Sequence, residues 1–433
     1  MDLEAVRASR VDGGTKGLPP GLGGMALGEV GRQGWSLLAG DLPLPAAVLR
    51  KSALDNNSAW MRAFLGRFGA VLAPHGKTTM APQLFDLQLA DGAWAITVAT
   101  VQQFEVCRRF GVPRILIANQ VVGRAAIDAL FAALADPTGP EVLVLADSVE
   151  GVRALAEGAG RAPAGTRPLD VLVEGGYAGG RTGQRSLDGI AEVARAVAEA
   201  APGLRLAGIE GYEGNIHGAD QAETDAAVDA FLDFLVTAAE TCDAAGLFTG
   251  ERILLSAGGS GFFDLVARRF ARAALSRPVE LVVRSGCYLT HDSHHFEAMF
   301  EAVRRRTPEA VETPGRLEPA IEIWAAVQST PEPGLALLTA GKRDISYDIE
   351  MPFAIKWFRA GHHDAPVPLD ADYRIAALND QHAYLRAPAD HPLRYGDMVC
   401  LGISHPCTTF DKWDVLCVVD DAYRVVDAVR TYF

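Results

Sequence analysis

Eight short runs rich in β-branched residues and leucine alternate with alanine-rich amphipathic stretches between about residues 50 and 285, and this alternation limits what the chain can fold into. The runs fall at 70–73, 94–98, 114–118, 141–146, 170–174, 205–209, 252–255 and 280–283. A strand–helix unit repeated eight times is the arithmetic of a (β/α)8 barrel. An open doubly wound sheet uses the same alternation and is the other solution; the barrel is the expectation. Asp55-Asn56-Asn57-Ser58 offers N-cap chemistry for a helix running to about residue 68. Residues 224–245 repeat Ala, Val, Phe and Leu at three- and four-residue spacing, which predicts a further helix.

The texture changes after about residue 312. Pro, Gly and short alternating runs at 320–327, 335–339, 398–401, 415–419 and 423–426 replace the helical periodicity and predict a second, all-β domain. The expected organisation is therefore residues 1–45 as a segment docking on the β domain, 46–311 as the barrel, and 312–433 as the β domain.

Composition narrows the class of partner. Apolar residues make up 49% of the 433, enough to bury a full core. With 40 basic against 54 acidic residues the net charge is −14, which opposes nucleic acid or an anionic membrane as the main partner. No uncharged apolar run is long enough for a membrane span, and the opening MDLEAVRASR lacks the apolar segment of a secretory signal. Six cysteines at 107, 242, 287, 400, 407 and 417 form no paired framework, so a reducing cytoplasm is the expected compartment.

In a barrel, chemistry gathers beyond the C-terminal ends of the strands. After the first run comes Pro74-His75-Gly76-Lys77-Thr78-Thr79; a lysine there, partly desolvated, has the lowered pKa that a Schiff-base amine requires. After the fifth comes Gly179-Gly180-Arg181-Thr182-Gly183, and after the sixth Glu210-Gly211-Tyr212-Glu213-Gly214. Ser256-Ala257-Gly258-Gly259-Ser260-Gly261 follows the seventh and opens a helix, and Arg284-Ser285-Gly286-Cys287-Tyr288 follows the eighth. Small residues at these last two positions let backbone N–H groups approach an anion, which suits a phosphorylated cofactor. In the β domain, Ser404-His405-Pro406-Cys407 places an imidazole and a thiol at i and i+2, on one face if the segment is a strand. Such a pair suits zinc over magnesium and leaves positions open for substrate. His291, His294 and His295 lie in an Asp/Ser-rich stretch that reads as a solvated loop.

Taken together, PHGKTT, GRTG, GYEG, SAGGSG, RSGCY and HPC resemble, in order, the D-serine dehydratase / D-threonine aldolase group of pyridoxal-phosphate enzymes, from about residue 45 to the end. The resemblance implies an alanine-racemase-type, fold type III architecture: a barrel binding pyridoxal 5'-phosphate plus a C-terminal β domain. It implies Lys77 as the Schiff-base lysine, with His75, Arg181 and Tyr212 near the cofactor ring. Gly258, Gly259, Ser260, Gly286, Cys287 and Tyr288 become the phosphate grip, and His405 and Cys407 the ligands of a divalent metal, with zinc preferred and manganese, cobalt or magnesium as alternatives. Asn379-Asp380-Gln381-His382 resembles a segment beside the metal, with Gln381 replacing an acid, and makes His382 a catalytic candidate. The chain departs from the group at Glu174-Gly175-Gly176, where a D-x-G pattern is usual, and at Thr78-Thr79-Met80 after the lysine.

What the resemblance implies for activity is a lyase acting on a D-β-hydroxy amino acid such as D-serine, D-threonine or D-3-hydroxyaspartate. Cys407, in the position where aldolases of the group tend to carry Asp, favours dehydration to a 2-keto acid and ammonia. Retro-aldol cleavage to glycine and an aldehyde is the alternative, with a racemase or a non-catalytic cofactor-binding protein further off. A homodimer with a small-molecule substrate is the expected assembly.

Overall fold

Leucine and β-branched residues that bury both faces of a strand favour a parallel sheet covered by helices. The computed structural model describes all 433 residues and shows eight such strands: Val71–Leu72, Ile96–Val98, Arg114–Gln120, Glu141–Ala146, Leu169–Gly175, Leu204–Gly211, Ile253–Ala257 and Val279–Val283. From the second strand to the eighth each pairs in parallel with the next, and the eighth pairs with the first. A parallel bridge between His75 and Thr97 closes the ring, with the Thr97 N–H donating to the Pro74 carbonyl at 2.9 Å and the Trp94 N–H to that of Leu72 at 2.7 Å. Ser148, Ser186 and Asp220 each accept a backbone N–H three residues on and cap the helices Val149–Arg161, Leu187–Glu199 and Gln221–Ala244.

The polar cluster at 55–58 does not start a helix. Lys51–Gly66 is already helical through it, and Asn57 and Ser58 are buried. Their side chains reach other segments instead of their own backbone. The Asn57 amide donates to the carbonyls of Leu289 (2.9 Å) and Glu318 (2.7 Å), its oxygen accepts the Glu318 N–H (2.8 Å), and Ser58 donates to Asp91 (2.6 Å). The cluster ties the first helix to the chain leaving the barrel.

The second sheet is partly closed and antiparallel except where Val415–Val419 runs parallel to Ala46–Arg50. Ile321–Glu332, Leu335–Leu338, Ala383–Arg386, Arg374–Leu378, Phe353–Phe358 and Met398–Gly402 pair in that order, and the last pairs back with the first. Ala46–Arg50 extends the sheet from the other side of Ile321–Glu332, followed by Val415–Val419 and Val425–Arg430. Residues 46–50 therefore belong to this sheet and not to the start of the barrel; their partners at 321–324 and 417–419 are too distant in sequence for a local pattern to reveal. Residues 1–45 lie on the same sheet: Val6, Val11, Leu18, Leu27, Val30 and Leu37 share one apolar cluster with Trp324, Cys400, Val415 and Cys417. No helix is long and apolar enough to cross a membrane.

Candidate functional site

The loops at the C-terminal ends of the barrel strands meet the 349 and 404–407 segments of the β domain around a cavity of about 780 Å³. Lys77 lies in the single turn Gly76–Thr78 directly after the first strand. Gly76 has to be glycine, since a Cβ there would sit 2.9 Å from Ile96 and Phe85. The Lys77 side chain opens into this cavity. His75 beside it is held neutral: burial, then the charges of Lys77, Arg284 and Arg181, push its pKa well below the usual histidine range, and its Nδ1 has no partner.

The Arg181 turn folds back on the fifth strand through the Gly176 N–H to Gln184 carbonyl and Gln184 N–H to Glu174 carbonyl bonds, both 2.8 Å. Glu174, standing where the related pattern has Asp, accepts the Thr182 hydroxyl at 2.8 Å and so fixes the turn. The Arg181 guanidinium lies 4.9 Å over the Tyr212 ring. Deeper in, Arg284 pairs with Glu210 and donates to the Gly211 carbonyl at 2.8 Å. Burial outweighs that guanidinium and pushes the Glu210 carboxyl up to about 8.

The glycine loops divide the phosphate-grip residues. The buried Glu213 carboxylate accepts the N–H groups of Gly258 (3.2 Å) and Gly259 (2.5 Å), so these two are already satisfied and are withdrawn from the anion site. The N–H groups of Ser260, Gly261, Gly286 and Cys287 bond to no protein acceptor, and their residues line the cavity. A Cβ on Gly286 would fall 2.4 Å from the His75 carbonyl oxygen, which leaves room only for backbone at this cradle. Ser285 locks the two loops together by donating to the carbonyls of Gly258 (3.0 Å) and Gly259 (3.1 Å). The Tyr288 side chain is not part of the grip: it is 1% exposed and its hydroxyl accepts from the Gln88 amide at 3.1 Å inside the core. The free donors and the glycine cradle fit a phosphate, and Lys77 in the same cavity fits a cofactor aldehyde.

On the β-domain wall, the strand Met398–Gly402 ends before His405, and Cys407 opens the short helix Cys407–Phe410. The pair is therefore not the i, i+2 face of a strand. His405 Nδ1 bonds Asp348 Oδ2 at 2.6 Å, and Thr408 holds the other Asp348 oxygen at 2.7 Å. This fixes the imidazole and leaves Nε2 as its free donor atom. Cys407 Sγ lies 3.4 Å from Thr78 Oγ1 and 3.9 Å from Cys287 Sγ. The bond with Cys287, helped by Thr78 and the Lys77 charge, pulls the Cys407 thiol down to about 7, while Cys287 is held well above the usual thiol range. A soft sulfur and an oriented imidazole suit a divalent ion, although no three His, Cys, Asp or Glu side chains stand together as a ready cage.

Residues 320–419 match the family described as the putative serine dehydratase domain. The chain is 27% identical over 315 residues to the 3-hydroxy-D-aspartate aldolase of Paracoccus denitrificans strain Pd 1222, covering 72% of this chain and 76% of that one. It is 25% identical over 386 residues to the D-threonine aldolase of an Arthrobacter species, covering 87% and 89%. The crystal structure of D-threonine aldolase from Filomicrobium marinum superposes with a TM-score of 0.75 at 26% identity, over 92% of this chain and 97% of that one. This chain is similar to the D-threonine and 3-hydroxy-D-aspartate aldolases. The fold is also that of D-threo-3-hydroxyaspartate dehydratase from Delftia sp. HT23, at a TM-score of 0.70 and 21% identity over 92% and 99% of the two chains.

Not every residue singled out from sequence reaches the cavity. His382 sits on the turn before Ala383–Arg386, its carbonyl accepting the Asn379 N–H at 2.9 Å, and does not line the cavity. The stretch at 291–295 is a solvated loop only at His294, which is exposed. His291 is fully buried, Asp292 accepts the N–H groups of His294 (2.9 Å) and Phe296 (2.8 Å) to start the helix His295–Arg306, and His295 lines the cavity. Sequence reasoning passed over Asp348, Thr78 as a partner of Cys407, and the direction of the Cys287 side chain. Only Thr78, beside the lysine, had a local signal.

Proposed function

We propose that this chain is a pyridoxal-phosphate-dependent, divalent-metal-assisted lyase of D-β-hydroxy amino acids, and that its reaction is elimination to a 2-keto acid and ammonia. The observation that carries the reading is that Lys77 and the His405–Cys407 wall share one cavity. An amine for the α-centre and a metal site for the β-hydroxyl then flank a single substrate. When bound, pyridoxal phosphate supplies the sink for electrons left at the α-carbon, and a divalent ion supplies Lewis acidity at the hydroxyl.

The chain's own residues do the rest. The N–H groups of Ser260, Gly261, Gly286 and Cys287 hold the phosphate. Lys77 Nζ would hold the cofactor aldehyde, and as a free amine it is the chain's base for the α-proton. Asp348 accepts the His405 Nδ1–H, which leaves the Nε2 lone pair for a metal. Arg181 stacked on Tyr212 walls one side and limits water.

Retro-aldol cleavage is the second reading, favoured by the aldolase activities of the relatives. It needs a base at the β-hydroxyl, and the imidazole of His295 on the cavity wall is available for that. The test is product analysis by mass spectrometry after loading the protein with cofactor and zinc, manganese or cobalt and offering D- and L-serine, threonine and 3-hydroxyaspartate. Keto acid and ammonia from a D-isomer support elimination. Glycine and an aldehyde transfer the assignment to the aldolase, and no product from any D-isomer overturns the lyase. All six cysteines are free, in keeping with a cytoplasmic placement.

A further inference from the structure

Cys287 and Cys407 come from different domains. Cys287 follows the eighth barrel strand, Cys407 opens the short helix after the strand Met398–Gly402, and both line the cavity. Their sulfurs stand 3.9 Å apart, and Thr78 Oγ1 completes a triangle with them, 3.4 Å from Cys407 and 3.8 Å from Cys287. A disulfide would require about 2.05 Å. Two thiolates on one tetrahedral zinc-class ion, with each bond about 2.3 Å, stand about 3.8 Å apart. The observed separation is the edge of that tetrahedron.

We propose that Cys287 is a sulfur ligand of the metal together with Cys407, with His405 as the third protein donor and the fourth position left to substrate. This rests on the metal-assisted reading above and sharpens it, because two sulfurs select a thiophilic ion of the zinc class against magnesium. Cys287 then has two separable tasks. Its backbone N–H has no protein acceptor, and its sulfur lies against Cys407 of the β domain. No three His, Cys, Asp or Glu side chains are gathered here, so the sulfur pair is the anchor of the proposed site. The ion also ties the barrel to the β domain, so adding it raises the melting temperature.

The experiment is zinc K-edge X-ray absorption on the cofactor-loaded, fully reduced protein, with zinc affinity measured by chelator competition. The wild type shows two sulfur scatterers at about 2.3 Å. Cys287→Ser, which keeps the size of the side chain, shows one, and its zinc affinity falls by roughly tenfold or more. One sulfur in the wild type, with affinity unchanged in Cys287→Ser, overturns the role of Cys287 and leaves the lyase reading intact. No zinc bound by the wild type overturns the metal-assisted reading itself. The wild-type spectrum decides between these outcomes even if the variant does not fold.

Discussion

His405 Nδ1 lies 2.6 Å from Asp348 Oδ2, although the two residues are 57 positions apart in the chain. A carboxylate behind a metal-facing imidazole sets its tautomer and raises its basicity. Replacing Asp348 with Ala frees the ring to rotate, and metal affinity falls roughly 10- to 100-fold while the phosphate loops stay intact. Chelator competition reads the affinity, and cofactor absorbance reads the loops. Unchanged affinity would show that His405 is not a ligand.

Gly286 passes so close to His75 that a methyl group cannot be placed there. Gly286→Ala has to push the cradle open by moving backbone, at a cost of about 1–3 kcal/mol. The outcome is a weaker hold on pyridoxal phosphate, seen as a raised dissociation constant in fluorescence titration. Gly92, whose Cβ would meet nothing but whose φ is +97°, serves as a control. Alanine there strains the backbone and lowers stability, with cofactor affinity unchanged.

Glu213 is buried and spends both oxygens on the N–H groups of Gly258 and Gly259. Glu213→Gln turns one acceptor into a donor facing an N–H, which costs about 1–3 kcal/mol. The urea midpoint falls, and cofactor affinity falls with it because Ser260 and Gly261 continue the same loop.

His291 is fully buried, its Nδ1 2.6 Å from the Asp292 carbonyl, and burial depresses its pKa from 6.5 to about 4. In the unfolded chain it takes up a proton below about 6.5, whereas the folded protein refuses it until about 4. Its contribution is therefore complete above 6.5 and disappears as pH falls through 4, amounting to about 3 kcal/mol. His291→Asn, which tolerates the φ of +47° found there, flattens the fall in melting temperature between pH 7 and pH 5. Parallel curves for the two proteins would refute this.

The barrel strands were legible because each is a run of buried leucine and β-branched residues bounded by turn chemistry; 141–146 matches end for end. The strands Phe353–Phe358 and Arg374–Leu378 were not, since Lys356 and Arg374 interrupt them and bulges break their alternation. Lys77 could be read from its place after the first strand. Tyr288 could not be excluded by adjacency, because successive side chains diverge: Cys287 faces the cavity and Tyr288 the core. Gly258 and Gly259 have the anion-binding sequence, but a protein carboxylate fills their N–H groups, and no spacing rule shows that. The Asp348–His405 pair exists only once the β domain has closed.

The most direct measurement of all is borohydride reduction of the pyridoxal-phosphate-incubated protein, followed by peptide mass mapping. A stable adduct on the peptide carrying Lys77, absent from Lys77→Ala, is the result this account predicts. A colourless protein of unchanged mass, or a label on another lysine, would contradict it.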